Sequence, residues 1–483
     1  MSESVEKNIQ RMEAMFRGDR DFVVREFELP DGTKAAVIFI DGLVNAKVIS
    51  EHVIKPLMRG RPVNVSETGS AFSDEEAAKA MLSGDTVVFI DGIGSAEYYN
   101  TKGFPTRQVS EPETETVIRG PREGFTESLQ MNTALVRRKL KTTHLRMELI
   151  QIGERSKTAM CLCWLDDVAN PELIDEVRRR LELIDVDGVL SSGYIEEYIE
   201  DAPYSVFQTI GSTEKPDVVA GKLLEGRCAL LVDGTPFALT MPMLFVENFH
   251  SPEDYAIRPY FATFLRLIRF AAFFVSLALP AFYVALVNFH QELIPAPLLY
   301  TIASASEGTP FSLTVETAVM LLTFEILREA GVRLPRPAGQ AVSIVGALVM
   351  GQAAIEAGVV GAPVVIVIAL SAMSGFVSPT ASNAVAVLRW LLLLAASLTG
   401  GFGLVMTLLC VYLHLTSLTS IGAPYLHPIA PLSPRELGDT IVRIPVEMMI
   451  NRPSPFHTLD KRRKAPYNRA TFTEGLPNEG SEP

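Results

Sequence analysis

The chain has little cysteine, histidine or tryptophan: four, seven and two among 483 residues. Cys161, Cys163, Cys228 and Cys410 contain no CxxC pair, and the histidines show no metal-ligand spacing, so no disulfide framework or metal centre is expected. Cys161 and Cys163 fall on one face of a strand-like run and read as buried thiols in a reducing compartment. Neither GxxxxGK[ST] nor GxGxxG occurs in the first half, which removes the usual phosphate-cradling loops. No Ser/His/Asp order, nucleophile elbow or paired catalytic carboxylates is visible, so neither an enzyme nor a cofactor is expected. The opening MSESVEKNIQRMEAMF is polar and charged, unlike a signal peptide, and the N-terminal domain is expected to stay cytoplasmic.

Charge is also missing in one stretch. Residues 256–416 hold seven Arg and six Glu but no Lys and no Asp, whereas residues 1–255 carry 28 basic and 43 acidic side chains. An acidic first half cannot neutralise phosphates, which argues against a nucleic-acid partner. Within the charge-poor stretch, Phe270 to Phe289 is uncharged over twenty residues, the length needed to cross a ~30 Å hydrocarbon core. The expected organisation is an α/β soluble N-terminal domain (1–255), a transmembrane helical bundle (256–416) and a partly disordered cytoplasmic tail (417–483).

The phrases VIFIDG (Val37 to Gly42), VVFIDG (Val87 to Gly92) and ALLVDG (Ala229 to Gly234) read as buried strands ending in turns that want the positive φ of glycine. The preferred reading of their aspartates is a strand–turn unit repeated in related subdomains, at about 20–105 and 140–245. Asn170-Pro171 reads as an N-cap and first helical residue. Pro121 to Leu140 reads as a helix in a charged linker (110–140), where Arg119, Arg122, Arg137 and Arg138 are expected to pair with local acids or a neighbouring subunit.

Further spans are read at Ala341–Ile355, Val359–Val377 and Leu391–His414, with weaker ones at Ile294–Ala305 and Phe311–Leu327. Arg266 and Arg269 before the first long span and the basic tail cluster at Lys461 place both termini in the cytoplasm. That requires an even number of crossings, four or six. Glu316 and Glu325 stand inside an apolar run, where a carboxylate must face a cavity, a partner or a water path. Nine positions put them on roughly opposite sides of one helix; Glu325 can reach Arg328, while Glu316 has no nearby cation and is the leading candidate to line or support a cation path, or to meet another subunit. Gln352 and Glu356 share a helix face and are weaker candidates for a pore mouth. Ser343, Ala347, Gly351 and Ala354 form a stripe of small residues suited to close helix packing.

Several stretches resemble the GerA family of spore germination proteins, specifically A subunits of nutrient germinant receptors. They include SEPETETVIRGPREGFTESLQMNTALVRRKL, IGERSKT, ANPELIDEVRRRL, SGYIEEYIED, STEKPDVVAGKLLEGRCALLVDGTPFAL and SPEDY, then NFHQELIP, EILREAGVRLPRPAGQ, GALVMGQAAIEAG and GAPYLHP. The chain has Ser306-Glu307-Gly308-Thr309-Pro310-Phe311-Ser312 where the family has Arg-Glu-Gly-Val-Pro-Phe-Pro, and APYSVFQ lacks the usual prolines. The resemblance implies a multi-pass protein of the inner spore membrane whose N-terminal domain sits in the spore core. It also implies a homo-oligomer forming a nutrient-gated channel for monovalent cations, with a transporter-like B subunit and a lipoprotein C subunit. A non-conducting scaffold or sensing subunit, or a SpoVAF-type amplifier, is the alternative.

Overall fold

A computed structural model describes residues 1–463 except 18, 20, 64, 66, 104–111, 113–114, 334–345, 347–348, 378 and 435. The soluble half contains two five-stranded antiparallel sheets. The first joins β1 (Phe22–Glu28), β2 (Lys34–Ile40), β3 (Thr68–Ala71), β4 (Asp85–Ile90) and β5 (Ala96–Asn100) in the order β1-β2-β4-β5-β3. The second joins β6 (Leu145–Ile152), β7 (Thr158–Leu165), β8 (Gly211–Thr213), β9 (Cys228–Val232) and β10 (Ala238–Met241) in the order β6-β7-β9-β10-β8. The two orders are the same arrangement repeated.

Both faces of each sheet are covered, so the central strands are apolar throughout rather than alternating. On β2, Ala36, Ile38 and Ile40 face α1 (Val5–Phe16) and α2 (Asp74–Leu82), while Val37 and Phe39 face the helical segment 46–58. On β9, Leu231 packs towards α3 (Leu129–Lys139), while Leu230 packs towards α4 (Pro171–Glu182) and α5 (Ser192–Ile199). Val219 and Leu223 of α6 (Pro216–Leu224) join the α3 side.

The Asp-Gly turns explain the repetition. Gly42, Gly92 and Gly234 have φ of 83°, 87° and 84°. The Asp91 carboxylate accepts the N–H of Val5, the first residue of α1, at 3.2 Å. The Asp233 carboxylate accepts the N–H of Leu129, the first residue of α3, at 3.0 Å. Each central strand therefore delivers a negative charge to the N-terminus of its own repeat's first helix. The Asn170 side chain caps α4 through Glu172 N–H at 3.1 Å. The linker helix is shorter than its charge pattern suggests: Leu129–Lys139 is helical, whereas Gly120 (φ 139°) and Pro121 break the chain before it.

The helical domain begins with α7 (Pro259–Phe289), then α8 (Ala296–Ser306), α9 (Leu313–Arg333), α10 (349–356) and α11 (Ala362–Gly375). A final helical run, Ser382–Ser417, contains one non-helical residue, Gly400 (φ 64°, ψ −141°). Thirty-six helical residues would span ~54 Å if straight. Yet both ends meet the same short segment: Thr380 donates to Asn248 O at 3.3 Å, and Tyr425, bonded to Leu418 O, accepts from Phe245 N–H at 2.8 Å. Gly400 lies instead against Phe289, at the distal end of α7. The run is therefore a hairpin of two antiparallel helices, α12 (382–399) and α13 (401–417), each ~26 Å long. The sequence reading took Leu391–His414 as one span; the structure divides it.

Contacts give the other directions. α9 starts beside the distal end of α7 (Asn288 to Thr314, 3.3 Å) and descends to place Glu325 beside Arg389. α10 rises from Leu327, near Gly346, to Gly308, near Gly358, and α11 descends to bring Ser371 to Ser276. α8 stays at the distal end: the Ala305 carbonyl lies beside Gly361. Thus Ile294–Ala305, read as a weak span, does not traverse the bundle. The tail up to Arg463 folds back on the second sheet domain, with Leu459 N–H on Val168 O at 3.0 Å and Phe456 under Arg227.

Candidate functional site

Three polar clusters tie the helical domain together. Nearest the sheet domain, Asp254 is fully buried and receives Arg266 Nε at 2.9 Å and Arg269 at 2.8 Å. Arg266 also reaches the Asp439 carboxylate at 2.9 Å, and Asp439 accepts the Tyr255 hydroxyl at 2.9 Å. His250 meets Thr440 O at 3.0 Å; burial, then the Arg266 charge, hold its pKa down to about 4. The arginines that read as a topology signal are thus also the bolt between tail, α7 and sheet domain. Nearby, partial burial works to raise the Glu247 carboxyl, yet Arg227 and Lys222 hold it down to about 2.

Midway along the helices, the Arg389 side chain is 3% exposed. Its Nε donates to Ser276 O and a terminal nitrogen to Ser276 Oγ, both at 2.9 Å, and it pairs with Glu325 at 3.2 Å. Glu325 also takes Arg328 at 2.8 Å, the neighbour expected from sequence. This joins α7, α9 and α12 at one point. The sequence reading missed Arg389 as a partner, because nothing local connects residues 64 positions apart.

At the distal end, Glu316 is 1% exposed and accepts Gly361 N–H at 3.0 Å. Glu316 and Glu325 occupy separate clusters, as their spacing requires. Gln352 donates to Glu356 at 2.8 Å, and both side chains are exposed on the outer face of α10. Gly351 packs within the chain, since a Cβ there would lie 3.2 Å from Val365 of α11; Ala354 is half-buried in the same layer. Ser343 and Ala347 lie outside the described residues.

Among the linker arginines, Arg137 is fully buried and holds Asp21 at 3.0 Å, Asp19 at 3.1 Å and Leu145 O at 3.0 Å, joining the two repeats. Arg138 pairs with Glu123. Arg119 and Arg122 are exposed. The linker docks on the second repeat through Lys215 Nζ on Pro121 O (2.7 Å) and Thr213 on Glu115 (2.6 Å). Cys161 and Cys163 are buried free thiols 3.7 Å apart, whereas Cys410 is exposed. His144, Asp166 and Asp167 have the proximity for a metal, but Asp166 already binds Arg146 at 2.8 Å and Arg17 at 3.3 Å.

Pro259–Phe289 is long and apolar enough to cross a membrane, and the comparably apolar run Pro379–Ser417 is divided between α12 and α13. The profile of the Bacillus/Clostridium GerA spore germination protein family matches residues 10–455. Spore germination protein KA of Bacillus subtilis (strain 168) is 41% identical over 97% of this chain and 90% of its own length. Spore germination protein GerLA of Bacillus cereus is 38% identical over 91% and 93%. An uncharacterized membrane protein of Bacillus subtilis, YfkQ, is 40% identical over 94% and 92%. The crystallised N-terminal domain of the A subunit of the Bacillus megaterium spore germinant receptor GerK3 is 32% identical over 51% of this chain and 97% of its own, with a TM-score of 0.40.

Proposed function

We propose, from the premise that this chain belongs to the GerA family of spore germination proteins, that it is the A-type membrane subunit of a germinant receptor and lines a gated cation channel. The observation that carries the reading is the exposed Gln352–Glu356 pair on the outer face of an otherwise apolar helix. A carboxylate on such a face is disfavoured against lipid and is stable when it faces water or another subunit. Several copies with α10 turned to a common axis would form a ring of carboxylates that attracts cations and repels anions.

The helix directions support six crossings, by α7, α9, α10, α11, α12 and α13, with both termini on the cytoplasmic side. The sheet domain would then be the cytoplasmic sensor platform, bolted to the bundle through Asp254. In this reading the chain is not an enzyme, and a transporter-like B subunit and a lipoprotein C subunit complete the receptor.

A cysteine at position 352, in a Cys410→Ser background, tests it. Oxidation should cross-link copies of the chain, and thiol-reactive cations should block conductance of the purified protein in planar bilayers. Absence of both effects overturns the reading. Cross-linking without any current supports a non-conducting scaffold, with transport carried by the partner.

A further inference from the structure

The cluster around Glu316 has features that helix packing alone does not use. Its carboxylate is buried, beside the apolar cluster that α9 forms with α7 and α11, and no Lys, Arg or His pairs with it among the described residues. One oxygen is held by Gly361 N–H, which fixes the orientation of the group. The Tyr283 hydroxyl is buried without a hydrogen-bond partner, on a side chain 8% exposed, and lies within electrostatic reach of Glu316. At the same glycine, the Ala305 carbonyl and Ser306 Oγ lie 3.3 and 3.4 Å from where a Cβ would stand. A carboxylate, a carbonyl from the last turn of α8 and an aliphatic hydroxyl thus lie about a residue without a side chain, with a phenol in electrostatic reach of the carboxylate.

We propose that this cluster binds one monovalent cation, K⁺ or Na⁺. Hard oxygen donors are what such ions take, and helix-end carbonyls beside a broken or terminating helix are a recurrent source of them in membrane proteins. The charge balance selects a single positive charge: one carboxylate meets neutral oxygens, and the N-terminus of α11 already supplies part of a positive charge. An ion here would offset the cost of the buried carboxylate and fasten α7, α8, α9 and α11 at the distal end. The proposal stands apart from the conduction reading, since a resident ion can be structural.

Thermal unfolding of the purified full-length chain in detergent tests it, in KCl and NaCl against choline chloride at constant ionic strength and pH. The Tm should rise saturably by a few degrees with K⁺ or Na⁺ and stay flat with choline. Glu316→Gln and Tyr283→Phe should each abolish the rise, and Thr301→Val, on the exposed face of α8, should keep it. Equal Tm in all three salts, a rise retained in both site variants, or a Tm that follows pH but not the cation would overturn the site. Should Glu316→Gln not fold, Tyr283→Phe decides alone.

Discussion

Gly400 and Phe289 touch so closely that a Cβ on Gly400 would lie 2.7 Å from the Phe289 ring, while Gly400 holds φ at 64°. The reversal between α12 and α13 therefore depends on a residue with no side chain, at a backbone angle L residues disfavour. Gly401 N–H is capped by His290 Nε2 at 3.2 Å, so the turn is held from the α7 side. Gly400→Ala should lower stability by ~3 kcal/mol, combining left-handed strain with overpacking. Gly422→Ala is the control: φ is 80° but nothing lies within 4 Å, so only the ~1–2 kcal/mol backbone cost remains. Thermal unfolding in detergent compares the two, and equal losses would show that the Phe289 contact is relaxed at no cost.

The Glu325–Arg389 pair gives a second expectation. Arg389→Gln leaves Glu325 with Arg328 alone and strips the donors from Ser276, so a loss of ~3–5 kcal/mol is expected. Glu325→Gln alone should cost less, because Arg389 keeps both Ser276 contacts. In a double-mutant cycle the combined variant should lose less than the sum of the singles. Strict additivity would mean the two charges do not act on each other.

The soluble fold was largely legible because its signals are local. Three Asp-Gly phrases marked strand ends, and Asn170-Pro171 marked the start of α4, since caps and turns depend on adjacent residues. The hairpin at Gly400 was not legible, because Leu-Thr-Gly-Gly-Phe-Gly within an apolar run also suits close helix packing; only the ~54 Å length of the unbroken run argues against a single span. The sites were legible in part. Glu325–Arg328 follows from three-residue spacing, but Arg389 with Ser276 and Glu316 with Gly361 are long-range pairings that no helical period encodes.

Topology can be read chemically, provided the reporter residues are exposed. Thr458 is 6% exposed beneath Gly226 and would resist labelling from either side. Leu459 is 58% exposed, and Glu307 is exposed at the opposite, distal end. With Cys410 replaced, Glu307→Cys should react with a membrane-impermeant maleimide on intact cells. Leu459→Cys should react only after permeabilisation. Labelling of Leu459→Cys from outside would refute the cytoplasmic placement of the tail and of the sheet domain on which it packs.

The pH response of the sheet domain and its junction with α7 should contain two opposed contributions. Burial, then Arg266, holds His250 at about 4 against an ordinary 6.5. The folded state therefore resists a proton that the unfolded chain accepts, so stability is complete above pH 6.5 and falls as pH drops towards 4, by ~3 kcal/mol at most. Burial, with Glu200 nearby, raises Glu196 to about 7 from an ordinary 4.5. Here the folded state keeps a proton the unfolded chain has released, so its contribution is complete below pH 4.5 and is lost as pH rises through 7. Between pH 4.5 and 6.5 the two slopes oppose, and the native protein should show a shallow profile there. His250→Gln can still donate to Thr440 O and should remove the acid-side loss. Glu196→Gln should stabilise at pH 8 and be neutral near pH 4.5, because only above its raised pKa does burying the carboxylate cost anything. Unfolding midpoints of the two variants and the parent at pH 4.5, 6 and 8 separate the contributions. Parallel curves for all three proteins would mean that neither group couples folding to protons.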